Sequence, residues 1–227
     1  MRSSTCTRTD DSGEHPRLGA VTLLKVIAWC DLVAVGVFAA SGALAAAEKR
    51  LDILGFVFFG TVTGVGGGTL RDLLLDVPVF WISDTRYLWI CIALSALTWY
   101  LAPLLTARRR LLLWADALGL GLFSVLGCAK ALQLGAPDVV AVVMGIMSAT
   151  FGGLLRDTLL ARDSVLLGPE LYVTAGLTGA SSYVLLNRFT TLDASLVLVV
   201  SMLPAFILRG GAISAGWRLS SYRRLGP

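Results

Sequence analysis

Apolar residues in this chain fall in long stretches separated by short polar segments. A helix that crosses a bilayer needs about 20 predominantly apolar residues, and the pattern predicts seven of them, at 22–47, 53–75, 86–105, 111–134, 138–160, 171–187 and 192–208. Together they nearly exhaust the chain, leaving short loops and little for an extramembrane catalytic domain. A polar segment, 1–17, precedes the first. That first stretch ends in Ala45-Ala46-Ala47, which resembles the end of a cleaved leader. Cleavage there would discard Asp31, Gly36, Phe38 and Gly42, all of which recur later in the chain.

The recurrence is an internal duplication. Residues 31–76 slide onto 116–161 without a gap, a displacement of 85. The matches that matter are Asp31/Asp116, Gly36/Gly121, Phe38/Phe123, Gly42/Gly127, Gly60/Gly145, Gly67/Gly152, Gly68/Gly153, Arg71/Arg156 and Asp72/Asp157. Each unit holds three helices, an odd number, so the second must enter the membrane from the opposite face. The repeats are therefore of the inverted kind, with a pseudo-two-fold axis in the membrane plane. The third helices match weakly, Tyr87 aligning with Tyr172, and the seventh has no counterpart. The predicted fold is an all-α polytopic membrane protein. It comprises a polar tail (1–20), a first three-helix repeat (21–107), a second, inverted one (108–190), a seventh helix (191–210) and a basic tail (211–227).

Composition agrees: 56% hydrophobic residues, 15% charged and a mean hydropathy of +0.77 exceed what a soluble domain needs. The net charge of +4 reads as basic residues on cytoplasmic loops, not as a nucleic-acid surface. One side of the membrane collects Lys49, Arg50, Arg108, Arg109, Arg110, Arg162, Arg209, Arg218, Arg223 and Arg224. The other collects Lys25, Arg86, Arg188, the tail residues Arg2, Arg8 and Arg17, and Arg71 if it is counted, which predicts a cytoplasmic C-terminus and an outside N-terminus. Cys6, Cys30, Cys91 and Cys128 are scattered, and the single histidine, His15, lies in the tail. No catalytic group, metal site or cofactor is expected, so the chain is not read as an enzyme.

Glycine in a helix interior costs about 1 kcal/mol relative to alanine. Gly64, Gly66, Gly67 and Gly68 are therefore expected to break the second helix, and Gly152 and Gly153 the fifth. Freed backbone groups are tolerated at membrane depth only against protein or a water-filled cavity, so matched breaks point to a permeation site. The isolated Gly36, Gly42, Gly60, Gly121, Gly127 and Gly145 read as close helix packing. Arg71-Asp72 and Arg156-Asp157 follow the glycines by a few Å of helical rise. Charges at that depth face the protein interior. Either each Arg pairs with an Asp and locks the two broken helices together, or the groups line a hydrated path or hold an anionic lipid headgroup. Asp31 and Asp116 are interfacial carboxylates or partners for the arginines. Lys130 aligns with Ala45 and is a pore or gate candidate, unless it snorkels to the interface. The hydroxyls of Thr61, Thr63, Thr69, Ser148 and Thr150 can replace ion hydration or simply bond between helices. Four carboxylates against three basic groups leave a slight negative excess.

The doubled Gly-Gly-x-x-Arg-Asp motif in a seven-helix chain resembles the prokaryotic branch of the trimeric intracellular cation (TRIC) channels, over about residues 20–210. The resemblance implies a homotrimer with a potassium-permeable pore in each subunit. It places kinked second and fifth helices beside that pore at Gly66, Gly67, Gly68, Gly152 and Gly153, with Arg71, Asp72, Arg156 and Asp157 alongside. Potassium would be the permeant ion, and membrane lipid and further copies of the chain the partners. Animal members carry a Lys-Glu-Val motif and bind a phosphoinositide between subunits; this chain has no Lys-Glu-Val. The motif type implies a bacterial plasma membrane. Other bacterial proteins with the same doubled motif are linked to uptake of small neutral solutes such as glycine, which keeps a secondary transporter as the alternative. A structural protein with merely salt-bridged Arg-Asp pairs is a third.

Overall fold

Hydrocarbon offers no water to backbone N–H and C=O groups, and a helix satisfies them within one segment. The computed structural model describes residues 15–105, 108–162 and 171–217, with side chains from Val26 onward except Arg108. Expectations resting on Arg2, Cys6, Arg8, Arg218, Arg223 and Arg224, or on the side chains of His15, Arg17, Lys25 and Arg108, lie outside the described residues.

The helices are α1 (His15–Glu48), α2 (Ile53–Leu74), α3 (Phe80–Ser83), α4 (Arg86–Leu101), α5 (Arg108–Gln133), α6 (Asp138–Leu159), α7 (Val173–Phe189) and α8 (Ala194–Ala215). The seven long ones coincide with the seven apolar stretches, and the short α3 was not anticipated. Six are long and apolar enough to cross a membrane; α7, with 17 residues, sits at the lower end of spanning length. Asp52 caps α2 by accepting from Gly55 N at 2.8 Å, and Asp193 caps α8 by accepting from Ser195 N at 3.0 Å. Helix α1 begins inside the segment read as tail, and α8 continues past 210 to Ala215, ending at Gly216 with φ +67°.

The duplication is visible in the backbone. Positive φ occurs at Arg50 and Gly135, and again at Asp76 and Ala161, each pair 85 residues apart. After α2, Val77 N donates to Asp72 O at 3.0 Å; after α6, Arg162 N donates to Asp157 O at 2.9 Å. Contacts exchange between the halves in the same way. A Cβ on Gly67 would strike the Ser148 carbonyl, and one on Gly152 the Thr63 carbonyl. Gly60 faces Ser95 and the Ala39 carbonyl, while Gly145 faces Ala180 and the Ser124 carbonyl. Phe38 and Phe123, a pair that exchanges with itself, stack at 5.3 Å. As α2 advances from Thr63 to Gly67, its α6 neighbours recede from Gly152 to Ser148, so the helices run antiparallel, as an inverted repeat requires.

The glycines correct one expectation. Helices α2 and α6 are unbroken through Gly64, Gly66, Gly67, Gly68, Gly152 and Gly153. Glycine there removes the side chain that would keep the two backbones apart, the small-residue packing of membrane helices. Gly66 lies against Leu155 and Gly152, and Gly68 admits the Phe80 ring at 2.6 Å from a notional Cβ. The isolated glycines pack as expected, Gly42 against Phe59 and Thr63, and Gly127 against Ser148.

Candidate functional site

Two clusters of buried charge, each centred on the Arg-Asp motif of one repeat, carry the chemistry. In the first, Arg71 Nε donates to Asp72 Oδ1 at 2.8 Å, and Lys130 Nζ reaches the same oxygen at 2.8 Å. Lys130 is therefore paired, where the sequence had left it without a partner. The turn of α3 returns the chain so that Phe80 N donates to Asp72 Oδ2 at 3.0 Å. Phe80 lies under the Arg71 guanidinium, 5.9 Å from ring centroid to Cζ, and edge-on to Tyr87 at 4.7 Å. The Tyr87 hydroxyl donates to Asp31 Oδ2 at 3.3 Å. Between them opens a cavity of about 230 Å³, lined by Asp31, Arg71, Phe80, Tyr87, Lys130 and Gln133 among others. Asp31 forms no ion pair with any described residue, and buried Arg71 Nη2 has no hydrogen-bond partner among them. In the adjoining loop, the side chain and then the backbone N–H of Arg86 bond to Asp84 and hold its carboxyl below the usual carboxylate range.

In the second cluster both carboxylates, Asp116 and Asp157, are ion-paired, although Asp116 Oδ2 is buried without a hydrogen-bond partner among the described residues. Arg156 Nε donates to Asp157 Oδ1 at 2.8 Å, and Nη1 to Asp116 Oδ1 at 2.9 Å and to the Ser41 hydroxyl. Gly153 leaves the space that the Tyr172 hydroxyl and Asp116 occupy. Arg209 of α8, fully buried, lies over the Tyr172 ring at 5.0 Å. The arginines thus pair within their own repeat, Arg156 joining α6 to α5 and α1. They do not lock α2 to α6, as one reading of the sequence had it.

Arg209 is the residue that sequence reasoning missed. It fell just past the seventh apolar stretch and was counted among cytoplasmic charges, although a lone arginine within Ala194–Ala215 is a signal in itself. Its presence removes the expected negative excess, since Arg71, Lys130, Arg156 and Arg209 now balance Asp31, Asp72, Asp116 and Asp157. The hydroxyls divide. Thr63, Thr69 and Thr150 donate to carbonyls four residues back, at 2.6, 2.7 and 2.9 Å, the ordinary helical use. Thr61 and Ser148 hydroxyls are buried without a partner among the described residues.

The clusters lie toward opposite ends of the bundle. The first is near the C-terminal ends of α2 and α5, and the second near those of α6 and α8. The Glu48–Arg162 pair at 3.0 Å and the Asp138–Arg188 pair at 2.8 Å join helix ends that the charge pattern had grouped on the same sides.

Fold and clusters define a class: an integral membrane protein of two inverted three-helix repeats with an appended helix. A family model described as "Glycine transporter" matches residues 28–103 and again 113–188, two copies displaced by the same 85 residues. The chain belongs to this family. Relatives include the "UPF0126 inner membrane protein YadS" of Escherichia coli K12, 35% identical over 199 residues and covering 86% of this chain and 94% of the relative. A "UPF0126 membrane protein" of Vibrio cholerae is 35% identical over 196 residues, covering 84% and 79%. The crystal structure of the TRIC trimeric intracellular cation channel orthologue from Rhodobacter sphaeroides is similar at 43% identity and TM-score 0.82, covering 85% of this chain and 99% of that one. A prokaryotic TRIC channel in 0.5 M KCl is similar at 27% identity and TM-score 0.80, covering 86% and 100%.

Proposed function

We propose that the chain is a potassium-permeable monovalent cation channel of the bacterial plasma membrane, a homotrimer with one conduction path per subunit, its C-terminus cytoplasmic. The cavity of the first cluster carries this reading. It is a charged space at membrane depth in a chain that resembles solved cation channels over most of its length. Of the four cluster carboxylates Asp31 alone makes no ion pair with a described residue, so its charge is available to a passing cation. Lys130, 32% exposed at the cavity wall and held by Asp72, is the movable obstacle.

Recording from purified protein in a planar bilayer under a potassium gradient tests it. Unitary currents reversing near the potassium potential are expected, reduced in Asp31→Asn and enlarged in Lys130→Gln. Asp72→Asn, which releases Lys130 beside Arg71, is expected to reduce cation conductance; wild-type currents from a correctly assembled variant would take Asp72 out of the path. Uptake of a small neutral solute is the second reading. It is supported by the family description and by a cavity holding both charge signs, Asp31 against Arg71 and Lys130, as a zwitterion would need. Saturable glycine uptake into liposomes without unitary currents would put transport in place of conduction.

A further inference from the structure

The first half of the bundle is open at its cavity, and the second is closed at the matching place. Six residues that line the cavity are Ile27, Asp31, Arg71, Leu126, Lys130 and Gln133. Displaced by 85 residues they become Leu112, Asp116, Arg156, Ser41, Ala45 and Glu48. Ser41, Asp116 and Arg156 are bonded together and buried. Leu112 and Ala45 pack with Leu44 and Leu160 into one buried apolar cluster. Glu48 pairs with Arg162 at 3.0 Å, joining the end of α1 to the end of α6. Three tiers thus follow one another along α1, toward the end that the proposed orientation makes cytoplasmic. Ser41 stands at the charge cluster, Leu44 and Ala45 in the apolar layer and Glu48 at the ion pair, three or four residues apart, which keeps them on one side of the helix. The end of α6 repeats the order with Arg156, Leu160 and Arg162, and α5 shares the first two tiers through Asp116 and Leu112.

We propose that the last two tiers form the cytoplasmic gate of the conduction path. Leu44, Leu112 and Leu160 are its constriction, and the Glu48–Arg162 pair is the latch that holds α1 and α6 together over it. The gate rests on the conduction path proposed above and places its closed end. Core packing alone does not account for the layer, because the duplication supplies a control. The first half has Lys130 where the second has Ala45, Ala129 where it has Leu44, and Gln133 and Val77 where it has the ion pair. That half folds around a space of about 230 Å³, so the repeat does not require the filling. An apolar constriction gates by excluding water, and with it a hydrated cation. It stays shut only while the helices around it are held together. The latch is partly exposed, 18% at Arg162 and 27% at Glu48, and such a pair is weak enough to part. The pairs of Arg156 beneath it are fully buried and stay fixed.

The test is thiol labelling in membrane vesicles, with recording from the same variants in a planar bilayer. The full chain carries Ala45→Cys, with Cys6, Cys30, Cys91 and Cys128 replaced by alanine, and meets a membrane-impermeant methanethiosulfonate from the cytoplasmic face. With the pair intact, slow labelling is expected. Glu48→Gln or Arg162→Gln should speed it about two- to fivefold, the range that a partly exposed pair commands, and lengthen the time spent open by a similar factor. Exchanging the charges, Glu48→Arg with Arg162→Glu, should bring both back to the wild-type values. Leu44→Ala, which installs the residue of the first half, should speed labelling while the latch is intact. Helical circular dichroism and the melting midpoint of each variant report that the bundle is folded. Labelling and open time that ignore Glu48→Gln and Arg162→Gln in folded protein overturn the gate and leave conduction standing. Labelling that follows the latch in a chain without unitary currents keeps the closure as that of a transporter and overturns conduction.

Discussion

Gly67→Ala is expected to be severely destabilising, although alanine is the better helix former by about 1 kcal/mol. The added methyl would lie against the Ser148 carbonyl, a backbone group that cannot swing away as a side chain can, so α2 and α6 must separate along their whole crossing. The related contact of Gly152 with Thr63 loosens with it. Overpacking a well-filled interior costs about 1–3 kcal/mol even where side chains can adjust, and here they cannot. Gly176→Ala is the matched control, because a Cβ there meets only Ile146 Cα at 3.9 Å and the helix gains propensity without a clash. Thermal denaturation in detergent should give a much lower midpoint for Gly67→Ala and an unchanged or raised one for Gly176→Ala. Equal midpoints would mean that the α2–α6 crossing is not held at backbone contact. They would also restore the broken-helix reading, in which alanine merely mends a helix.

This test falls where sequence and structure part company. The repeat was legible because Gly, Arg and Asp are scarce in membrane helices, so their coincidence at one displacement stands out against an apolar background. The inverted relation of the two halves followed from it together with the three apolar stretches in each. The glycine clusters were misread because consecutive glycines have two physical uses in a bilayer, weakening a helix or letting another approach it, and only the partner's position decides between them. That partner, Ser148 in one direction and Thr63 in the other, is more than 80 residues away in the chain. Asymmetry was partly visible. Lys130 against Ala45 was noticed, and it proves to compete for Asp72. Arg209 was not, because a helix without a counterpart offers no alignment to mark its buried charge.

That asymmetry makes two Gly-Gly-x-x-Arg-Asp motifs unequal, and Arg156→Met should cost far more stability than Arg71→Met. Arg156 is buried and serves Asp116, Asp157 and Ser41 together. Its loss takes the ion-pair partner from Asp116, itself fully buried, and breaking a buried pair by removing one member costs about 3–5 kcal/mol. Arg71 is as deeply buried, but its Asp72 keeps Lys130 at 2.8 Å and the Phe80 N–H at 3.0 Å, and the neighbouring cavity admits polar compensation. Unfolding of the two variants in a mixed-micelle denaturant series should show a large loss for Arg156→Met and a small one for Arg71→Met. Adding Lys130→Met to Arg71→Met should raise the cost steeply, because Asp72 then has no ion-pair partner left among the described residues. Equal losses from the two single variants would contradict the division into one closed and one open cluster. If the division holds, the closed half is the fixed scaffold against which Lys130 and Asp31 act in the open half. Single substitutions of Lys130 or Asp31 can then be read chiefly for function, whereas the paired loss of Arg71 and Lys130 must be discounted for unfolding.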